Sequence, residues 1–471
     1  MSRDAYGNKG SRETRGVTRR RFVRSAALVV GGSALLAACG DNTVAPASST
    51  TAASGTTATT AASAATTAAS GGTATTAAAA ASSGGPITLS HWYHQYGEDG
   101  TQQAALKYAA DYTKANPNVT IKVEWIPGDY DSKLNAAMLT PEGPDIYEGH
   151  LTNSMVQAGQ VAPLDDLFTD DIKKDFDKVA LARNTVDGKI YGAQMIIDPQ
   201  LFYYRKSLLD KAGLKPPTTM DELINASKVL NSGKVKGLYM GNDGGIGNMA
   251  GNLVYAAGAK YLDDSNKPAF NTDAVAAAWA QGKTLATSNT LLVGAPTDWW
   301  DPSAFDQNLS AMTWNGLWAM PTITKTFADD FGVFAFPAAG PSGKQVVYSG
   351  GWAEFVNPKS KNVQAAKDYV NWLWLKSADK QTDWSLSYGF HIPPRVSTAA
   401  GATALKSGNA ATVVDLTSKY GYGDLTIWNS AMGQALTDGF TNVVQKNADP
   451  KAELAAAEKK VQAELDKVLK K

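Results

Sequence analysis

With 44 Lys/Arg, 44 Asp/Glu and one cysteine in 471 residues, the chain can close no internal disulfide, and its core must hold it together. The charge is unevenly placed. Residues 1–38 take eight basic and two acidic residues, which leaves 36 against 42 in the remainder, a net of about −6. No long basic stretch lies beyond residue 38, so nucleic acid and anionic lipid surfaces are excluded as partners.

In chain order, Thr18-Arg19-Arg20-Arg21-Phe22 leads into an apolar run of 14 residues, Ser25 to Ala38. A membrane span needs about 20, so residues 1–38 read as a secretory signal peptide. The arginine run is similar to a twin-arginine export signal. Leu36-Ala37-Ala38-Cys39 resembles a bacterial lipobox, which makes Cys39 the expected lipid acceptor; an ordinary thiol is the other reading. After it, residues 40–85 are almost entirely Ala, Thr, Ser and Gly, without Lys or Arg. Such a segment buries too little apolar surface to offset its ordering entropy, so 39–85 reads as a lipidated Cys and a tether. Its 46 flexible residues after Cys39 would reach roughly 35–40 Å.

The body, Pro86 to Lys471, exceeds the size at which one core stops growing, about 250–300 residues, so two lobes are expected. Strand-like ITLSHW (87–92) is followed by helix-like TQQAALKYAADYTKA, with Ala105, Tyr108, Ala109 and Tyr112 at helical spacing. IKVEWI (121–126) alternates as a strand does. Thr219-Met220-Asp221-Glu222 is a capping box. GLYMGND, SAMTWNG, FGVFAFP and GWAEFVN are short apolar stretches beside helical segments. After Asp449-Pro450, a last helix places Leu454, Val461, Leu465 and Val468 on one face. This alternation predicts an α/β fold of two lobes, each with a mostly parallel sheet flanked by helices. Ligands of such sheets sit at the carboxyl ends of strands, where HWYHQYGED (91–99) falls.

An ordered set of short stretches carries a resemblance. It runs through Asn116-Pro117-Asn118-Val119, Gly143-Pro144-Asp145-Ile146, Asp187-Gly188-Lys189-Ile190-Tyr191-Gly192 and Leu201-Phe202-Tyr203-Tyr204-Arg205-Lys206. It continues through Met312-Thr313-Trp314-Asn315-Gly316-Leu317-Trp318, Gly350-Gly351-Trp352 and Pro393-Pro394-Arg395. Together these resemble the extracellular solute-binding proteins of ABC transporters, in the carbohydrate branch similar to maltose-binding protein. The family's Tyr-Asn-Lys strand reads Tyr204-Arg205-Lys206 here. The resemblance implies a periplasmic-binding-protein-like fold hinged between lobes, divided by analogy into 86–198 plus 303–349 and 199–302 plus 350–471. It also implies a monomeric binding subunit on the outer face of the cytoplasmic membrane. The permease and ATPase are other chains, since this one has no G-x-x-x-x-G-K-[ST] loop. A carbohydrate is the expected ligand, with no cofactor, no metal and no catalysis.

A sugar offers C–H faces to aromatic rings and rim hydroxyls to carboxylates, amides, Arg and His. Of the 12 Trp, Trp279, Trp372, Trp374 and Trp384 sit in helical apolar runs and read as core. The expected ligand-binding set is Trp92, Tyr93, His94, Glu98, Asp129, Tyr130, Glu148 and His150 in the first lobe. To these are added Asn242, Asp243, Trp299, Trp300, Asp301, Trp314, Asn315, Gly350, Gly351, Trp352 and Arg395. The glycine pair before Trp352 would let a ligand approach the backbone. Arg395 offers a donor fork to vicinal oxygens, or closes a surface loop by a salt bridge. His91-x-x-His94 could be half of a zinc site with His150 or Glu98, but i,i+3 on a strand does not bring both rings to one face. The rival functions are a polyamine or other non-sugar receptor, a secreted glycoside hydrolase using two of these carboxylates, and an adhesin.

Overall fold

The computed structural model describes residues 85–470, so the signal segment, Cys39 and the tether lie outside the described residues. Its strands are β1 (Ile87–His94), β2 (Val119–Ile126), β3 (Ile146–Gly149), β4 (Thr185–Val186), β5 (Lys189–Ile190) and β6 (Ala193–Gln194). They continue as β7 (Asp198–Tyr204), β8 (Met312–Gly316), β9 (Gly332–Phe334), β10 (Val347–Gly350), β11 (Ala353–Val356) and β12 (Gly421–Tyr422). Two five-stranded sheets result: β2-β1-β3-β11-β6, and β12-β10-β7-β8 with β9 also on β7.

Local chemistry explains the elements that position the site. Ala105, Tyr108, Ala109 and Tyr112 are buried along helix Thr101–Ala115, the face their spacing predicts. In β1, Leu89, His91 and Tyr93 point into one core while Trp92 points to another, as strand alternation requires. The Thr219–Glu222 capping box forms as its sequence predicts. The last helix, Pro450–Leu469, buries Leu454, Val461, Leu465 and Val468.

Two expectations are corrected. The sheets are mixed rather than mostly parallel: β1 runs parallel to β2 and β3, but β11 is antiparallel to β3 and β6, and β7 is antiparallel to β8, β9 and β10. Strands that arrive across a lobe boundary enter from the far end and run against their neighbours, which a βαβ repeat never requires. The second correction concerns the division of the body. Segment 303–349 carries β8, β9 and β10, which pair with β7 in the second sheet, while β11 and the helix Val363–Val370 pack in the first core. The chain therefore passes between sheets near 195–198, 350–353 and 391–396, and the C-terminal helices return to the second core.

Candidate functional site

The carboxyl ends of β1 and β3 meet the start of β11 around Trp352. The His94 ring stacks on the Trp352 indole at 4.2 Å between centroids, 23° between planes, and His150 lies at 4.4 Å and 49°. Tyr130 meets the indole edge-on at 6.0 Å, and its hydroxyl donates to the Glu148 carbonyl at 2.8 Å. The buried Glu148 carboxylate accepts from the Tyr96 hydroxyl at 2.8 Å and contacts His94 Nδ1 and backbone N–H. Burial, then the Glu148 charge, pushes the Tyr96 hydroxyl well above its ordinary pKa, so it stays a donor. Gly351 makes this arrangement possible. Its φ is +112°, and a Cβ there would stand 2.1 Å from the Ile196 carbonyl oxygen.

Below Trp352 a narrow crevice is lined by Gly149, His150, Arg183, Gly351, Asp424 and Thr426. Segments of both lobes close it. Arg183 reaches Asp424 at 2.8 Å, Tyr348 donates to the same carboxylate at 2.6 Å, and the Asn153 N–H donates to the Thr426 carbonyl at 2.8 Å. Arg183 is only 7% exposed. Neighbouring protein atoms, then the Arg183 guanidinium, push the His150 pKa below its ordinary value, an effect that the ring's exposure to solvent weakens.

At the chain crossings His391, 3% exposed, contacts Asp198 through Nδ1 and faces Glu98 at 3.6 Å through Nε2. In the second lobe Trp299 and Trp318 stand 6.1 Å apart, Trp318 donates to the Trp300 carbonyl at 2.9 Å, and Asn315 donates to the Trp299 carbonyl at 2.9 Å. Trp300 is 53% exposed.

The predicted residues divide accordingly. His94, Tyr130, Glu148, His150, Gly351 and Trp352 come together; Trp92 packs beside them, and Gly350 pairs with Asp198 in the second sheet. Glu98 belongs to the His391 cluster, Trp299 and Trp300 form an aromatic edge of the second lobe, and Asn315, wholly buried, donates to the Trp299 carbonyl beneath it. The others lie apart from these groups. Tyr93 and Trp314 are wholly buried, Trp314 between Phe202 and Phe336, because each points into its sheet's packed face. Arg395 is spent on Asp175 at 2.8 Å and the Leu375 carbonyl, the loop-closing reading. Asp129 caps helix Tyr130–Ala137 by accepting from Ser132. Asp243 accepts from Gly245 and Gly247 N–H, Asn242 ties the 295–297 loop, and Asp301 accepts from Ser303 N–H. His91 pairs with Glu354 at 2.7 Å, both fully buried, on the opposite face from the Trp92 cluster. Among the described residues, no group of three His, Cys, Asp or Glu is placed to hold a metal.

Sequence reasoning missed Tyr96, Arg183, Trp318, His391 and Asp424. Tyr96 and Trp318 had a signal, since both lie inside stretches already singled out. Arg183 and Asp424 are 241 positions apart and had none.

Two α/β lobes with three chain crossings, and between them a crevice lined by His150, Arg183 and Asp424, give the architecture of a two-lobed binding protein. The description of bacterial extracellular solute-binding proteins matches residues 107–412, about two thirds of the chain, and the chain belongs to that family. An ABC transporter extracellular-binding protein of Pyrococcus horikoshii is 26% identical over 160 residues, 32% of this chain but only 36% of that relative's length. The arabinooligosaccharide-binding protein of Bacillus subtilis is 25% identical over 304 residues, 60% of this chain and 69% of that one. An ABC transporter solute-binding protein from Thermotoga lettingae, solved with alpha-D-tagatose, superposes with a TM-score of 0.69 at 20% identity, over 80% of this chain and all of that one.

Proposed function

We propose that this chain captures a mono- or oligosaccharide between its lobes and delivers it to the permease of an ABC importer. The observation that supports it is the Trp352 cluster. The half-buried Trp352 indole stands with His94 and the exposed His150, and beside them the buried Glu148 holds the Tyr96 hydroxyl, so aromatic rings lie next to directional polar groups. Each guanidinium near the crossings is already held by a carboxylate, Arg183 by Asp424 and Arg395 by Asp175, so the site suits an uncharged sugar better than a uronate. Segments 86–197 plus 351–395 form one jaw of the clamp, and 198–350 plus 396–470 the other. The relatives' sugar ligands agree with this reading. Export with lipid on Cys39 would tether the clamp near the membrane, and the chain works as a monomer without turnover.

The test is Trp fluorescence of residues 86–471 titrated with tagatose, arabinooligosaccharides, mannotriose, a uronate and spermidine, with the sugars assayed for breakdown over hours. One saturable sugar response, weakened about 10- to 100-fold by Trp352→Ala, is expected. A response to spermidine alone would sink the sugar reading, and released product would make the clamp an enzyme.

A further inference from the structure

Three of the chain's four histidines sit against a carboxylate: His91 on Glu354, His94 on Glu148 and His391 on Asp198. His391 differs from the other two. Each of its ring nitrogens faces a carboxylate, Nδ1 the Asp198 side chain and Nε2 that of Glu98. A neutral imidazole donates from one nitrogen only, so the second carboxylate would meet a lone pair. The imidazolium satisfies both. The place in the chain matters equally. Asp198 opens β7 at the first crossing, His391 lies on the third next to the Ile197–Ile392 bridge, and Glu98 belongs to the first-lobe loop that follows β1 and carries Tyr96. The residue is fixed by its backbone as well. Its main-chain N–H donates to the Ser385 carbonyl at 2.8 Å, and a Cβ on Gly389 would stand 1.8 Å from the ring's Nε2.

We propose that His391 is a positioning residue for ligand capture: as an imidazolium it holds the Asp198 and Glu98 carboxylates at the chain crossing, where they accept hydroxyls of the bound sugar. This rests on the sugar-receptor reading. The groups that face the ring are Asp198 from β7 and Glu98 from the loop after β1, and the Tyr96 hydroxyl stands near both carboxylates on its way to Glu148. Burial alone would lower the His391 pKa, but the two carboxylates outweigh it and the net shift is upward. The sign follows. The pair is intact below the ordinary histidine range and is lost as pH rises through the raised value. Above it, Glu98 loses its partner and two carboxylates repel across a neutral ring.

Two measurements test this on residues 86–471. The first follows the His391 Cε1–H resonance with pH, assigned by its loss in His391→Gln, in wild type and Asp198→Asn. A midpoint above the ordinary value that falls in Asp198→Asn is expected; a midpoint at or below the ordinary value overturns the proposal whether or not any sugar binds. The second is Kd against pH for the panel sugar that quenches Trp fluorescence. Affinity should weaken about tenfold as pH passes the His391 midpoint, and His391→Gln should bind about tenfold weaker with a flat profile. A merely structural histidine would lower the melting temperature of His391→Gln and leave the pH profile of Kd as in wild type, which also overturns the proposal. Silence of every sugar, with the resonance titrating as expected, would remove the sugar reading and with it the ligand role, leaving only a hinge ion pair.

Discussion

Trp352 and Trp314 were equal in the sequence, each a tryptophan beside small or polar neighbours in a short strand-like stretch. Packing separates them. Trp314 points into the face of β8 that β7 and Phe336 cover, whereas Trp352 follows a glycine at φ +112° and leaves the sheet at a crossing. Which face a strand residue takes is set by register, and one position in either direction reverses it. Asp306 shows the same blindness for charge. It lies near the Trp299–Asp301 loop, one carboxylate oxygen is buried without a partner, and burial followed by the Asp301 charge raises its pKa to about 6. An acid whose folded pKa is raised destabilises the fold as pH climbs from its unfolded value, near 4, through about 6, and the cost stays above that. Asp306→Asn should therefore stabilise the protein at pH 7.5 by about 1–2 kcal/mol after solvent screening and change nothing below pH 4. Thermal melts of both proteins at the two pH values decide it; an equal shift at both would mean the carboxylate charge is not the cause.

Elements were more legible than their partnerships. The helix Thr101–Ala115, the Thr219 capping box and the apolar face of Pro450–Leu469 follow from spacing that one segment contains. Sheet membership does not. β8 and β11 read alike as short apolar strands, yet β8 pairs with β7 and β11 with β3, because pairing is decided by chain crossings tens of residues away. Gly351 is the pivot of one such crossing. An alanine there would need a backbone conformation that L residues rarely adopt, with its Cβ 2.1 Å from the Ile196 carbonyl oxygen. Gly351→Ala should cost about 2–4 kcal/mol in urea unfolding and displace Trp352 enough to weaken sugar binding. Full stability with normal affinity would show that the crossing adapts and that the glycine is not what places the indole.

At the scale of the molecule, the two lobes touch through groups no local pattern announces. Arg183 meets Asp424, Asn153 meets Thr426, and the Gln157 side chain donates to the Val468 carbonyl at 2.7 Å. A binding protein that closes on its ligand spends part of the ligand's affinity on closure, and contacts made only in the closed form reduce that cost. The Arg183–Asp424 pair is suited to this. The guanidinium is nearly buried and is fixed further by the Ser349 carbonyl, while the carboxylate is 48% exposed and also holds the Tyr348 hydroxyl. An ion pair with one solvent-reached partner is worth about 1 kcal/mol or less, which is still a shift of up to about fivefold between open and closed forms. Asp424→Asn keeps the size and one acceptor, so it removes charge without emptying the crevice. Small-angle scattering of the ligand-free protein should show a larger radius of gyration in Asp424→Asn than in wild type, and saturating sugar should return both to one value. The same variant should bind sugar up to about fivefold more weakly, and high salt, which screens the half-exposed pair, should bring wild type toward it. Identical scattering with reduced affinity would place Asp424 on the ligand itself rather than on the hinge.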